Sequence, residues 1–195
     1  LVEGWVGGAR RGRGGRGESR RPRVAAAARR HDPVPQVAWR TTLLAGDAER
    51  IAGLCAASGV FTDAEVAVAR ELAEDRLAHG ARSSYRFVLA ERPYGLLAGY
   101  ACYGPAPCTD SAWDLYWIVV HPAAQGAGLG RALLDRVAAA AGAAGGTALY
   151  AETAGKPAYA PTRAFYARNG FHAVATVPDF YARGDAKLIL VRPLD

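Results

Sequence analysis

The stretch HPAAQGAGLG, residues 121–130, lies between two segments of different pattern. The apolar run WDLYWIVV (113–120) before it is typical of a central β-strand. The segment RALLDRVAAAAG (131–142) after it has apolar residues at helical spacing. Three glycines at the junction let the backbone adopt positive φ and come close to a ligand. The first N–H groups of the following helix have no hydrogen-bond partner within the helix. The stretch therefore predicts an anion-binding turn, with a ligand-free tight turn as the alternative.

Two common glycine signatures do not fit this stretch. A Walker loop needs Gly-Lys-Ser or Gly-Lys-Thr at the helix start, where this chain has Gly130, Arg131 and Ala132. A dinucleotide fingerprint needs Gly-x-Gly-x-x-Gly, whereas residues 126–130 follow Gly-x-Gly-x-Gly, and no acidic residue ends a following strand in the required place. The pattern that remains is Gln-x-x-Gly-x-Gly, starting at Gln125, between a strand and a helix.

Outward from this turn, apolar periodicity and the positions of Gly and Pro predict the other elements. Strands are predicted at 37–42, 85–91, 96–104, 111–122, 147–153, 171–177 and 186–192, and helices at 47–58, 62–79, 129–142 and 161–170. The order β-α-α-β-β-β-α-β-α-β-β indicates an α/β fold with a mixed sheet. A chain of 195 residues has room for one ordinary domain, which we assign to 37–195.

The glycine stretch and a second motif carry a resemblance to a known family. VVHPAAQGAGLGRALL (119–134) resembles the acetyl-CoA-binding motif of the GNAT superfamily of N-acetyltransferases, and FYARNGF (165–171) resembles that family's Tyr-containing helix and Gly-Phe turn. The order of elements also matches, so the resemblance extends over 37–195. It implies a GNAT-like mixed central sheet flanked by helices, acetyl-CoA as co-substrate, and transfer of the acetyl group to a primary amine of a small molecule or peptide.

The resemblance also implies which residues contact the coenzyme. These are Ile118, Val119, Val120, Gln125, Gly126, Ala127, Gly128, Leu129, Gly130, Arg131 and Tyr159. Many family members have an asparagine seven residues before the helix tyrosine, where it bonds the pantetheine arm. Tyr159 takes that position here, so the anchoring of the arm on this side departs from the family pattern.

Acyl transfer to an amine needs a group that removes a proton, because lysine-like amines with a pKa of ~10.4 are mostly charged at neutral pH. Asp114 and Glu152 are the candidates; we prefer Glu152 as base or water relay, with Asp114 holding the substrate cation. The alternatives are that Asp114 is bonded to nearby backbone or to an arginine, and that Glu152 caps the loop after its strand. Strict alternation along the central strand predicts one face with Asp114, Tyr116, Ile118 and Val120.

Tyr166 is the general acid by the same resemblance. A coenzyme thiol has a pKa near ~8.5 and a phenol near ~10, so a protonated tyrosine can donate to the leaving thiolate. The alternative is an aromatic ring that only packs beside Phe165 and Phe171.

Aromatic and acidic residues are expected where the amine binds, because ring faces and carboxylates both attract a cation. The expected substrate-binding residues are Tyr116, Asp179, Phe180 and Tyr181, the last three at the end of a late strand. They favour a cationic amine and leave its identity open.

The formal net charge of +6 comes from residues 1–36 alone. This segment has nine arginines against Glu3, Glu18 and Asp32, and the other 15 basic residues (24 − 9) face 15 acidic ones (18 − 3). Its Arg- and Gly-rich composition offers few large apolar groups to bury, so we expect a disordered basic extension. It is either an arm for RNA or another polyanion, or a solvated extension. Because residues 37–195 add no basic patch, a nucleic-acid partner is not expected.

Composition also bears on location and cofactors. The chain has neither a run of eighteen or so apolar residues nor an N-terminal apolar block, so we expect no membrane span and no signal peptide. Cys55, Cys102 and Cys108 are odd in number and lack metal-type spacing, which favours free thiols in a reducing cytoplasm and no metal.

Three functions remain open: an N-acetyltransferase, a catalytically silent acyl-CoA sensor on the same fold, and an RNA-associated protein that uses the basic extension. Monomer and homodimer also remain open.

Overall fold

The computed structural model describes residues 37–194 of the chain. Within them, seven strands and four α-helices follow one another in the predicted order, which confirms the α/β fold. The basic extension, residues 1–36, lies outside the described residues. The bounds of the elements are β1 Ala38–Arg40, α1 Asp47–Ser58, α2 Asp63–His79, β2 Arg86–Arg92, β3 Leu96–Pro105, β4 Ala112–Val120, α3 Leu129–Ala143, β5 Ala148–Ala154, α4 Ala160–Arg168, β6 His172–Ala182 and β7 Asp185–Pro193.

The described strands form one sheet in the order β1-β2-β3-β4-β5-β7-β6. β4 and β5 run parallel, and the other neighbouring pairs are antiparallel. β4 lies in the middle, as its continuous apolar pattern predicts. Helices α1 and α2 cover one face, where Ile51 and Ala73 join Phe87 in one core cluster. Helices α3 and α4 cover the other face, where Leu133 and Phe165 belong to a second cluster.

Local sequence explains where the helices begin and end. The hydroxyl of Thr62 accepts the N–H of Glu65, and the carboxylate of Glu65 accepts the N–H of Thr62, a capping box that starts α2. Gly80 follows its last residue. Gly128 precedes α3 in a left-handed conformation. No helix in the part of the chain that the structure describes has both the length and the apolar composition needed to cross a membrane.

A group of four charges joins β1, α1 and β2. Arg40 bonds the carboxylates of Asp47 (2.5 Å) and Glu91 (2.9 Å), and Arg50 bonds the same two carboxylates at 2.6 and 2.7 Å. The Asp47 side chain is only 1% exposed. Burial raises the pKa of Asp47, but hydrogen bonds from Arg40 and from the Leu44 N–H outweigh burial and hold the pKa below its usual range. Asp47 is therefore charged at neutral pH.

Asp47→Asn is expected to lower the free energy of unfolding at pH 7 by about 3 kcal/mol, because it leaves Arg40 and Arg50 without their shared buried carboxylate. The stabilisation by Asp47 is complete above the pKa of this carboxyl in the unfolded state and disappears as the pH falls through its lowered pKa in the folded state. The difference in free energy of unfolding between the native chain and the variant should therefore narrow towards about pH 2. Urea unfolding at neutral and acid pH measures both effects. Asp63→Asn, at an exposed position of α2, is the control. An equal difference at both pH values would contradict the ion-pair explanation.

Candidate active site

The parallel strands β4 and β5 pair only at their beginnings. Their register ends where Asp114 lies opposite Tyr150, although β4 continues to Val120 and β5 to Ala154. Beyond that point the facing backbone edges do not bond each other, and we call this opening the β4–β5 gap. Buried backbone groups are nearly always hydrogen-bonded, so the gap is a place where a ligand or water is expected to bind.

A β-bulge lies in β4 beside the gap. In the β3–β4 register, Leu115 lies opposite Tyr103 and Trp117 lies opposite Cys102, so Tyr116 has no counterpart. An extra residue of this kind bends the strand and reverses the alternation of its side chains.

The bulge divides β4 between the two faces of the sheet. Leu115 packs with α3 and α4, and so do Ile118 and Val120, whereas Tyr116 packs with α1 and α2. By alternation with Leu115, Asp114 faces α1 and α2 as well. The prediction that Asp114, Tyr116, Ile118 and Val120 share one face is therefore wrong, because strict alternation does not survive the inserted residue.

A cleft of about 640 Å³, which we call the glycine cleft, opens at the start of α3. Gly126 and Gly128 have φ of 85° and 79°, so the predicted turn with positive φ is present. The first N–H groups of α3 have no partner inside the helix, and with the positive end of the helix dipole they favour an anion here. The residues that line the cleft are Val120, Ala124, Gln125, Gly126, Gly128, Leu129, Gly130, Arg131, Phe165, Arg168 and Asn169.

The lining of the cleft differs in part from the contacts expected from sequence. The side chain of Gln125 donates to the carbonyl of Val120 at 3.2 Å, which fixes the glycine turn to the end of β4. Residues expected to contact a coenzyme but absent from the lining are Ile118, Val119, Ala127 and Tyr159. Residues that sequence reasoning missed are Ala124, Phe165, Arg168 and Asn169. The last three belong to the FYARNG motif. This motif predicted the helix, but it did not indicate which of its residues face the cleft.

Tyr166, in α4, has only 2% of its surface exposed and does not line the glycine cleft. Its ring lies edge-on to Phe165 (centroids 5.5 Å apart) and to Phe171 (5.1 Å), so the packing foreseen as its alternative role is present. The hydroxyl has no hydrogen-bond partner among residues 37–194. Burial raises the pKa of this hydroxyl, so Tyr166 is protonated at neutral pH. The packing role is thus present in the structure, and the role as general acid stays a prediction.

The two candidate carboxylates both face α1 and α2. Glu152, on β5, pairs with Lys187 of β7 at 2.5 Å, and Lys187 lies 4.5 Å from the centre of the Phe180 ring. Asp114, on β4, is half-buried and has no hydrogen bond or ion pair within the described part of the chain. Burial raises the pKa of Asp114, and the nearby charge of Glu152 raises it further. Asp114 is thus a half-buried carboxylate without an ion-pair partner among the described residues.

Similarity to a solved structure decides the family. A candidate acetyltransferase of the GNAT family from Desulfovibrio desulfuricans has 46% sequence identity and a TM-score of 0.80, with 82% of this chain and 100% of that chain covered. This chain belongs to the GNAT family. The acetyltransferase (GNAT) domain family matches residues 83–173, a range that includes the β4–β5 gap, the glycine cleft and α4. A search of curated protein sequences gave no significant match.

More distant acetyltransferase structures share the fold. The ribosomal-protein-S18-alanine N-acetyltransferase from Escherichia coli has 19% identity and a TM-score of 0.63, with 82% of this chain and 95% of that chain covered. A candidate acetyltransferase from Salmonella typhimurium, solved with its cofactor acetyl-CoA, has 22% identity and a TM-score of 0.63 over the same shares of 82% and 95%. These similarities support the mixed sheet with flanking helices predicted for this chain.

Two buried polar atoms in the described part of this GNAT chain have no hydrogen-bond partner. Within residues 37–194, the buried side-chain atoms without a hydrogen-bond partner are Nε1 of Trp117 and Oγ1 of Thr153. Trp117 lies three residues beyond Asp114, and Thr153 lies three residues beyond Tyr150, so both follow the point where β4 and β5 separate. A buried polar group left unpaired costs about 1–3 kcal/mol. No sequence signal pointed to either atom.

The residues expected to bind substrate take different places in this GNAT fold. Tyr116 packs edge-on against Tyr85, with centroids 5.4 Å apart, on the face of the two carboxylates. Phe180 is 52% exposed and lies edge-on to Tyr181 at 4.9 Å, within β6. The carboxylate of Asp179 accepts the N–H of Gly184 at 2.6 Å and so closes the turn between β6 and β7. Tyr116 and Phe180 therefore lie near the two candidate carboxylates. The carboxylate of Asp179 is instead engaged in the turn between β6 and β7.

Proposed function

We propose that this GNAT chain transfers the acetyl group of acetyl-CoA to a primary amine of a small molecule or peptide. The observation that carries the proposal is the β4–β5 gap, which opens beside the glycine cleft and lies between two faces of the sheet. One face has Asp114 and Glu152, and the other has Tyr166. We assign proton acceptance to the first face and proton donation to the second.

The glycine cleft fits the pyrophosphate of acetyl-CoA. The positive φ of Gly126 and Gly128 keeps side chains out of the turn, and the free N–H groups of α3 are donors for phosphate oxygens. Arg131 and Arg168 line the same cleft and add positive charge. Acetyl-CoA supplies the activated acyl group as a thioester. The acetyltransferase structure from Salmonella typhimurium, which contains acetyl-CoA, supports this choice of co-substrate.

The proton transfers are assigned to three side chains. Asp114, which has no ion-pair partner in the described residues, attracts the ammonium form of the acceptor. Glu152, directly or through a bonded water, takes the proton that the amine loses. Tyr166 donates its hydroxyl proton to the leaving thiolate from the opposite face of the sheet. The exposed face around Tyr116 and Phe180 contributes ring surfaces for the cation.

The direct test is acetyl transfer by the purified full chain. Acetyl-CoA is supplied with a panel of amino acids, polyamines, amine-bearing drugs and peptides with free N-termini, and released thiol and acetylated product are both measured. We expect thiol release that depends on one class of amine, with product formed in equal amount. Tight acetyl-CoA binding without turnover on any amine would instead identify a sensor. The ion pair between Glu152 and Lys187 favours this alternative, because it engages the carboxylate that we propose as the base.

Deleting residues 1–36 is expected to leave acetyl transfer and the melting temperature unchanged within experimental error, because the deleted segment carries the net charge and none of the core pattern. Turnover and thermal unfolding of the full and shortened chains are compared side by side. A large loss in either quantity would show that the extension belongs to the working domain. RNA binding confined to the full chain would support the RNA-associated alternative.

Location and assembly stay predictions from the sequence. Cys55, Cys102 and Cys108 are free thiols, in keeping with the reducing cytoplasm that their number favours. Monomer and homodimer both remain open.

A further inference from the structure

A second cavity, of about 490 Å³, lies at the opposite end of the sheet from the glycine cleft. We call it the arginine cavity. Pro105 forms part of its wall and lies opposite Trp113, near the start of β4. Val120, which lines the glycine cleft, is seven residues further along β4, a distance of about 23 Å along the strand. Its lining residues come from the end of α2, the turn that follows, and the adjoining ends of β2 and β3: Arg76, Ala81, Arg82, Ser83, Ser84, Arg86 and Pro105.

The three guanidinium groups of this cavity have no counter-ion among the described residues. Within residues 37–194, the side chains of Arg76, Arg82 and Arg86 form no ion pair and no hydrogen bond. The neighbouring carboxylate of Asp75 is engaged elsewhere, because it accepts the Ser83 hydroxyl at 2.5 Å and contacts His79 Nδ1 at 2.9 Å. Three like charges around one cavity repel one another, so the arrangement favours binding of an anion.

One of the guanidinium groups is held by an aromatic ring. Arg86 lies 4.5 Å from the centre of the Trp113 ring, a stacking contact that leaves its N–H edge free. Burial raises the pKa of the Tyr103 hydroxyl, while the charges of Arg86 and Arg76 act in the opposite direction, so both charges lie near that hydroxyl. The Ser84 hydroxyl, which has no partner within the described chain, adds a further donor.

We propose that the arginine cavity binds the phosphate group of a small phosphorylated ligand. A guanidinium presents paired N–H groups that match two phosphate oxygens, and several such groups around one anion give specificity as well as affinity. The cavity has the volume of a small-molecule site. Nucleic acid is disfavoured as the occupant, because residues 37–195 are formally neutral and the positive charge here is local. The cavity is separate from the glycine cleft, and phosphate binding in it does not require acetyl transfer.

The test uses the full chain saturated with coenzyme A, so that the glycine cleft is not available to the probe. Inorganic phosphate is titrated at constant ionic strength and followed by calorimetry, with chloride as the reference anion. We expect saturable binding that weakens at least about tenfold in Arg82→Gln. Arg82 is exposed in a turn, so the variant should fold normally. Arg183→Gln, at another exposed arginine, is the matched control and should bind phosphate as the native chain does.

Three results would overturn the proposal. Phosphate binding that does not saturate, or that is unchanged in Arg82→Gln, would show that the cavity is not a phosphate site. Equal loss in Arg82→Gln and Arg183→Gln would indicate general charge screening. Binding of a short single-stranded DNA, lost in Arg82→Gln and without any binding of free phosphate, would identify a surface for a polyanion instead.

Discussion

Replacing Gly128 with valine is expected to weaken acetyl-CoA binding by about a hundredfold or more. Gly128 has φ of 79°, a conformation that a β-branched residue adopts only with strain, and its side chain would occupy the place of a phosphate next to the first N–H groups of α3. Losing two charge-assisted hydrogen bonds of about 1.5–3 kcal/mol each accounts for a change of this size. Calorimetry with acetyl-CoA and the purified variant measures it.

A matched variant separates the lost ligand site from backbone strain. Gly145 has φ of 85° just after the other end of α3, and a Cβ there would meet no atom within 4 Å. Gly145→Val therefore imposes the same strain far from the glycine cleft and should lower stability while leaving acetyl-CoA affinity near native. Equal affinity in both variants, or an unchanged affinity in Gly128→Val, would remove the glycine turn from coenzyme binding.

The element order of this fold could be predicted because each signal is local. The spacing of apolar residues along α3 and the glycines at 126–130 depend on neighbouring residues, and the structure contains both as expected. The bulge at Tyr116 could not be predicted, because it exists only in the pairing of β4 with β3. Its consequence was large, since it places Ile118 on the opposite face from Asp114.

The candidate site was predictable only where it is contiguous in sequence. The glycine turn forms one side of its cleft, but Arg168 and Asn169 reach it through the packing of α4. The pairing of Glu152 with Lys187 depends on the sheet order, which places β7 beside β5 although the two residues are 35 positions apart. Likewise, the burial of the unpartnered Thr153 hydroxyl depends on how the sheet and its helices pack, which the local sequence does not show. Long-range contacts of this kind leave no periodic signal in the chain.

Tyr166→Phe is expected to lower turnover about ten- to a thousandfold, with little change in acetyl-CoA affinity or melting temperature. The variant removes a hydroxyl that has no hydrogen-bond partner among residues 37–194 and keeps the ring against Phe165 and Phe171, so the core should be as stable as before. Turnover alone changes, because the leaving thiolate loses its proton donor. Since burial raises the pKa of Tyr166, the native donor stays protonated throughout a neutral assay and the loss should not depend on pH there.

The same substitution at Tyr103 tests whether loss of any buried tyrosine hydroxyl has this effect. Tyr103 is 4% exposed, belongs to the same core cluster, and lies on β3, a strand that does not border the β4–β5 gap. Tyr103→Phe should therefore turn over at nearly the native rate. A similar loss in both variants would point to a general effect on the core. Near-native turnover in Tyr166→Phe would leave Tyr166 with its packing role alone, and the thiolate would then take its proton from water or from the ammonium group of the acceptor.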